Sequence, residues 1–262
     1  MRHASLSAHL VPGLLIACAG AAIGAPPFPA EFELSSLDGT NGYVLNGIDS
    51  YDFSGRAVSS AGDVNGDGFD DIIIGAELAD PAARLDAGET YIVFGGPGIG
   101  GTGSINLSSL NGTNGFVING ASVLDLSGSA VSSAGDLNGD GIGDLLIGAP
   151  SASLGGPNSA VGRAYVVFGA PTIGASGTIE LSALNGTNGF SLGGTVVDDG
   201  VGCSVAPGGD VNGDGIDDIL VGGFGRDPGG RSSAGQTFVV FGGPTLGASS
   251  FRFVSSLNGT NG

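Results

Sequence analysis

Lysine is absent from this 262-residue chain, histidine occurs only at His3 and His9, and cysteine only at Cys18 and Cys203. Each absence closes off a class of explanation. The first two dozen residues read as an export signal: Arg2 gives MRHASLSAH its positive charge, LVPGLLIACAGAAIG is the apolar run, and Ala22-Ile23-Gly24 supplies the small residues for cleavage. That run is too short and too rich in small residues to span a bilayer. Once residues 1–24 leave, both histidines go with them and Cys203 is the remaining cysteine. No intramolecular disulfide is then possible, so stability outside the cell rests on packing or on metal. General acid-base work by histidine, and nucleophile activation by histidine or lysine, are removed as well. A rival reading stays open within the leader: LIAC at 15–18 resembles a lipobox, which makes Cys18 an acylated first residue. Cys203, in GVGCSV, reads as a small buried hydrophobe.

Positive charge is scarce. Seven arginines face 25 acidic residues, for a net charge of −18 and a pI near 4.1. Such a surface repels nucleic acid and anionic lipid and favours cations as partners. Helical periodicity is also missing; the apolar residues, 41% of the chain, gather in short β-branched or aromatic runs. With 54 glycines and 12 prolines, composition alone suggests disorder unless the glycines hold fixed places.

They do hold fixed places. LDGTNGY begins at 37, LNGTNGF at 110 and 184, and LNGTNG at 257, at intervals of 73, 74 and 73 residues. A period this long repeats whole supersecondary units. In the second copy, SINL (104–107), FVIN (116–119), SAVSS (129–133), DLLIG (144–148) and AYVVF (164–168) read as strands. NGTNG has the chemistry of a tight hairpin turn. IIIGA, LLIGA and ILVGG are continuous apolar runs, which suits strands buried on both faces. Four or five strands per period predict an all-β protein built of β-propeller blades. The segments are 32–104, 105–178 and 179–251 for three complete blades, with 252–262 opening a fourth. A ring needs four to eight blades, so the reading expects an incomplete propeller: a fragment of a longer protein, or a chain that associates to cover its sheet edges.

Three loops concentrate the negative charge: GDVNGDGFDD (62–71), GDLNGDGIGD (135–144) and GDVNGDGIDD (209–218). Carboxylates packed this closely repel one another by roughly 4 kcal/mol per close pair at an intermediate dielectric. A divalent cation reverses that cost. Oxygen donors at positions 1, 3, 5 and 9, a main-chain carbonyl at 7 and glycine at 6 suit Ca²⁺, whereas zinc and copper lack their sulfur or imidazole ligands. An EF-hand is excluded, because position 12 is Ile74, Ile147 or Val221 instead of glutamate. The competing reading is a set of bare acidic turns.

YIVFGGP (91–97), YVVFGAP (165–171) and FVVFGGP (238–244), each following an Asp loop and an apolar run, resemble the FG-GAP repeat of the integrin α-chain propeller and its bacterial relatives. The resemblance spans essentially the whole mature chain. It implies that SAVSS is the inner strand, DLLIG the second, AYVVF the third and TIEL an outer one; FVIN has no secure place in that scheme. It implies about three structural Ca²⁺ ions. The first is held by Asp63, Asn65, Asp67, Asp71 and the Phe69 carbonyl; the second by Asp136, Asn138, Asp140, Asp144 and the Ile142 carbonyl; the third by Asp210, Asn212, Asp214, Asp218 and the Ile216 carbonyl. Asp70 and Asp217, matched by Gly143, are expected to bond within their own loops or face water. Pro207, in SVAPGGD where the other copies read VSSAGD, is expected to disturb the inner strand of the third copy.

In that family, partners bind the face opposite the calcium loops. Here the face comprises segments 48–54, 77–88, 121–127, 150–162, 195–200 and 224–235. The expected function is a secreted or cell-surface binding or adhesion module, non-catalytic, with a protein or carbohydrate ligand. Two alternatives stay open: the propeller portion of a larger extracellular hydrolase such as a phospholipase, and a structural surface array.

Overall fold

A computed structural model describes residues 33–155 and 159–262. The expected leader at 1–24, with Cys18, lies outside these residues, as do positions 156–158 of the 150–162 segment. The chain divides into two units. In residues 1–36 the described part holds a single 3₁₀ turn, Leu34–Ser36. Residues 37–262 carry the strands.

The first five-stranded sheet is built outward from β2 (Ala57–Gly62) through β3 (Asp71–Ala76), β4 (Glu89–Val93) and β6 (Gly115–Asn119) to β10 (Thr178–Glu180). The second repeats it with β7 (Ala130–Gly135), β8 (Asp144–Ala149), β9 (Arg163–Val167), β11 (Gly189–Gly193) and β15 (Phe251–Phe253). Within each, four strands run antiparallel and the fifth lies parallel to the fourth. The third sheet has three strands, β12 (Val201–Gly209), β13 (Asp218–Gly223) and β14 (Gln236–Val240). β1 (Val44–Asn46) and β5 (Ser104–Asn106) form a parallel pair.

This topology gives FVIN its place. It is β6, the fourth strand of the sheet begun in the preceding repeat, and TIE is β10, a fifth strand beyond it. One sheet therefore draws on two successive copies of the repeat, β2 to β4 from one and β6 with β10 from the next. Of the three expected blades, two are five-stranded sheets and the third has three strands among the described residues. Within 252–262, β15 pairs on the second sheet's outer edge, and Asn261 O accepts from Phe241 N as Asn114 O does from Phe94 N, so the next copy of the repeat opens there. NGTNG is not a hairpin, since the strands it joins, β5 and β6, belong to different sheets. It is an Asx turn: Asn111 Oδ1 accepts from Thr113 N, and Gly112 N donates to Gly115 O, with Gly112 and Gly115 at φ 91° and 134°.

The apolar runs are buried on both faces, as their unbroken character requires. Leu145, Ile147, Tyr165 and Val167 pack into one core with Ile73, Ile92, Phe116 and Ile118 of the first sheet. Their neighbours Leu146, Ala164 and Val166 pack into a second core with Val201, Ile219 and Val221 of the third. The two-residue side-chain period of β8 and β9 thus feeds two cores, so each sheet is bonded to its neighbours by packing. The Phe-Gly motif contributes an aromatic pair per sheet: Phe94 lies 5.7 Å from Phe116 and Phe168 lies 5.9 Å from Phe190, centroid to centroid.

Each inner strand ends in a bulge, at Ala61, Ala134 and Gly208, that turns the chain into its Asp loop. Ser60 and Ser133 steady the first two, their Oγ atoms accepting from Gly62 N and Gly135 N. Pro207 stands at this position in the third copy; β12 nevertheless runs through it to Gly209 with the same bulge. The proline removes the hydroxyl staple and leaves the strand intact.

Candidate functional site

Each Asp loop joins the inner strand of a sheet to its second strand. In the first loop Asp63 accepts from three amides, Gly66 N (2.7 Å), Asp67 N (3.0 Å) and Gly68 N (2.8 Å). Asn65 Oδ1 accepts from Asp67 N, Asn65 Nδ2 donates to Asp67 Oδ2, and Asp67 Oδ1 accepts from Phe69 N. The second loop repeats this set with Asp136, Asn138 and Asp140, and the third with Asp210, Asn212 and Asp214. Gly66 and Gly68 sit at φ 74° and 90°, as the turn demands. The Gly215 N–H, with those of Gly213 and Asp214, holds Asp210 below the ordinary carboxylate range.

The ninth-position aspartates face elsewhere. Asp71 is buried; its Oδ2 accepts from Val64 N at 3.0 Å and its Oδ1 from Gly95 N at 2.8 Å. Asp144 accepts from Leu137 N and Gly169 N, and Asp218 from Val211 N and Gly242 N. Each is a brace tying the Asp loop to the Phe-Gly turn of its own sheet. Burial pushes the Asp71 carboxyl up to about 6 and that of Asp144 to about 7, against the pull of their N–H donors. The glycine of the motif is sterically required here, since a Cβ on Gly95 would lie 2.3 Å from the Asp70 carbonyl oxygen.

Asp217 reaches into the neighbouring sheet's loop. Its Oδ2 accepts from Asp136 N at 2.9 Å, while Gly143 N donates to Asp63 O at the matching place between the first two sheets. The expectation that Asp217 bonds within its loop or faces water is thus corrected: it clasps adjacent sheets. Two further clasps, Ala170 N to Val64 O and Gly243 N to Leu137 O, lie beside it. The side chains of Ile142 and Ile216 add apolar contact, with a Cδ1 3.6 Å from where a Cβ on Gly66 would stand and 3.4 Å from one on Gly139.

The donors suit a hard cation in chemistry: Asp63, Asn65 and Asp67, with their counterparts, offer oxygen on an exposed, acidic, glycine-hinged loop. Among the described residues no three His, Cys, Asp or Glu side chains are gathered as a metal-holding group, and Asp71, Asp144 and Asp218 accept from the amides they brace. Asp63, Asn65 and Asp67 likewise accept from main-chain amides, those of their own loop.

The opposite ends of the strands present a different surface. Ile48, Tyr51, Phe53, Leu85, Val123, Leu124, Leu154, Val196, Val197 and Phe224 are exposed there, Tyr51 at 82% and Phe224 at 65%. The backbone is strained at this end: Tyr51, Phe53, Leu124, Leu126 and Asp198 have φ between 54° and 74°. Bulky residues at positive φ persist only where neighbours fix them. Leu124 N donates to Leu85 O, and Leu126 N to Asp86 O. Buried Asp125 accepts from Ser122 N; buried Asp199 accepts from Thr195 N and Val196 N and pairs with Arg226 at 2.6 Å. Sequence reasoning named these loops and missed the two aspartates. Their signal was available: Asp52, Asp125 and Asp199 recur at the repeat period.

Stacked antiparallel sheets, each with an Asp loop at one end and clasped to the next, define a β-propeller of the Asp-loop kind, here a partial one. Residues 54–93 and 127–167 match the FG-GAP repeat family. Over 232 residues the chain is 31% identical to integrin alpha-5 of Xenopus laevis, covering 82% of this chain and 19% of that protein. Over 136 residues it is 32% identical to integrin alpha-PS2 of Drosophila melanogaster, covering 50% of this chain and 9% of that protein. The chain thus spans a fifth or less of these relatives' lengths. It is an integrin-α-like FG-GAP repeat protein.

Proposed function

We propose that this chain is a calcium-braced propeller module outside the cell, acting in adhesion or ligand binding through the face opposite its Asp loops. One observation carries the reading: ten exposed large apolar side chains, Tyr51, Leu124 and Phe224 among them, lie at the strand ends opposite the Asp loops, against Phe69 and Val211 within those loops. Exposed apolar side chains on loops of a rigid frame suit recognition. Similarity to integrin α chains supports the same module type.

Calcium would be held by Asp63, Asn65, Asp67 and the Phe69 carbonyl, and by their counterparts in the second and third loops. Bound there, it supplies charge neutralisation and a cross-link within the loop. Asp71, Asp144 and Asp218 hold the loop in place for it. At millimolar extracellular calcium, sites with Kd of roughly 10⁻⁴ to 10⁻³ M are largely filled. The role is non-catalytic, and the ligand is a protein or a carbohydrate.

Arrays of extracellular-matrix proteins and glycans test the binding face. Tyr51→Ser, Leu124→Ser and Phe224→Ser should each weaken capture of whatever the wild type retains, and Phe69→Ser, at the Asp-loop end, should not. Equal losses from both ends would count against the assignment.

A further inference from the structure

Twelve of the 14 asparagines in the chain are followed by glycine. The pair is chemically labile, because a glycine nitrogen with no side chain beside it can attack the carboxamide carbon of the preceding asparagine. A fold restrains that reaction wherever hydrogen bonds hold the glycine N–H or pin the carboxamide. Eleven of the twelve steps are restrained in this way.

In the Asp loops a carboxylate holds the amide: Gly66 N donates to Asp63 Oδ1 at 2.7 Å, Gly139 N to Asp136 Oδ1 and Gly213 N to Asp210 Oδ1. At the first Asn-Gly of each NGTNG turn a carbonyl does so, Gly112 N donating to Gly115 O, Gly186 N to Gly189 O and Gly259 N to Gly262 O. Gly120 N, just past β6, donates to Gly88 O. At the last Asn-Gly of these turns, and of DGTNG at 38–42, the carboxamide is pinned. Asn41, Asn114, Asn188 and Asn261 accept through Oδ1 from the amides of Asp38, Asn111, Asn185 and Asn258.

Asn46-Gly47 is the exception. Both residues are exposed, and among the described residues Gly47 N meets no acceptor and Asn46 Oδ1 no donor. Only Asn46 Nδ2 is engaged, donating to Asn106 Oδ1 at 3.0 Å across the β1·β5 pair. Topology is the cause. Gly120 and Gly194, at the same place after β6 and β11, donate to Gly88 O and Gly162 O just ahead of β4 and β9, whereas β1 pairs with β5 alone.

We propose that Asn46 is a site of spontaneous deamidation, the one Asn-Gly step that this fold leaves open. Gly47 N attacks Asn46 Cγ, its proton leaves with the carboxamide nitrogen as ammonia, and a five-membered imide forms. Water then opens the ring at one carbonyl or the other, giving aspartate or isoaspartate with no oxidant or reductant. The aspartate fits: Asn119 and Glu180 occupy the same register positions of β6 and β10 and bond at 2.6 Å, so a carboxylate facing a carboxamide is already accommodated there. The isoaspartate does not fit. It carries the main chain through an additional carbon and breaks the register of a three-residue strand, releasing β1 from β5.

The test holds the whole chain at mildly alkaline pH and body temperature in heavy-oxygen water, then digests it in ordinary water for peptide mapping by mass spectrometry. The label marks conversion that preceded digestion. Asn46 should convert about tenfold or more faster than any other step, since each of the others must first release a hydrogen bond. In concentrated urea the twelve rates should draw together. Asn46→Gln, which keeps the carboxamide, should abolish the fast conversion, and Asn46→Asp should melt as the wild type does. Conversion led by another step, or spread evenly over the folded chain, overturns the proposal. So does a folded chain intact at Asn46 after the urea-unfolded chain has converted.

Discussion

Asp71 and Gly95, 24 residues apart, are joined by one hydrogen bond, Gly95 N–H donating to Asp71 Oδ1 at 2.8 Å. The same bond recurs between Asp144 and Gly169 and between Asp218 and Gly242. It fastens the two sequence signatures of the repeat, the Asp loop and the Phe-Gly turn, to each other. The last aspartate of the loop is therefore a structural brace with or without metal.

Removing that brace should destabilise the metal-free protein. Asp144→Ala leaves the buried Leu137 and Gly169 amides unpaired, each at about 1–3 kcal/mol. Asp140→Ala acts on an exposed loop and should cost little in EGTA. Denaturant melts of both variants in EGTA check the contrast; equal losses would mean that the ninth position has no special role.

Gly169→Ala should be destabilising although it adds only a methyl group. Its Cβ would stand 2.1 Å from the Gly143 carbonyl oxygen, which belongs to rigid backbone. Displacing such a contact costs about 1–3 kcal/mol. Gly96, where nothing lies within 4 Å of an added Cβ, is the paired control, although its φ of 151° makes any side chain there somewhat strained. Urea midpoints should fall further for Gly169→Ala.

Asp125 predicts a pH dependence. Burial, the largest cause, raises its carboxyl to about 6, partly offset by Arg163 and by the Ser122 and Ser153 amides. A carboxyl raised in the folded state favours folding when protonated. Its contribution is complete below the ordinary value of 3.8 and is lost as pH rises through about 6. Asp125→Asn removes the titration, so the variant's stability should fall less than the wild type's between those limits, by on the order of 2–3 kcal/mol. Parallel stability-pH curves would contradict this.

The repeat, the strands and the Asp loops were legible because glycine, Asx chemistry and unbroken apolar runs act locally. Sheet membership was not. FVIN has the alternation of a strand, but nothing near it says that its antiparallel partner is β4 of the preceding repeat. The same holds for Asp217, whose acceptor role is set by a loop 81 positions earlier in the chain. Pro207 was legible as a proline and misleading as a breaker, because the bulge at Gly208 already accommodates it. Ligand spacing in the loops was readable; that the ninth side chain turns to Gly95 depends on a turn formed later in the sequence.

Calcium calorimetry of the chain tests the central claim most directly, with Asp67→Ala, Asp140→Ala and Asp214→Ala measured separately. The account predicts about three ions per chain, one lost with each variant, and a melting temperature that falls in EGTA. No heat of binding, with melts indifferent to EGTA, would make the loops bare acidic turns and contradict the calcium-braced propeller.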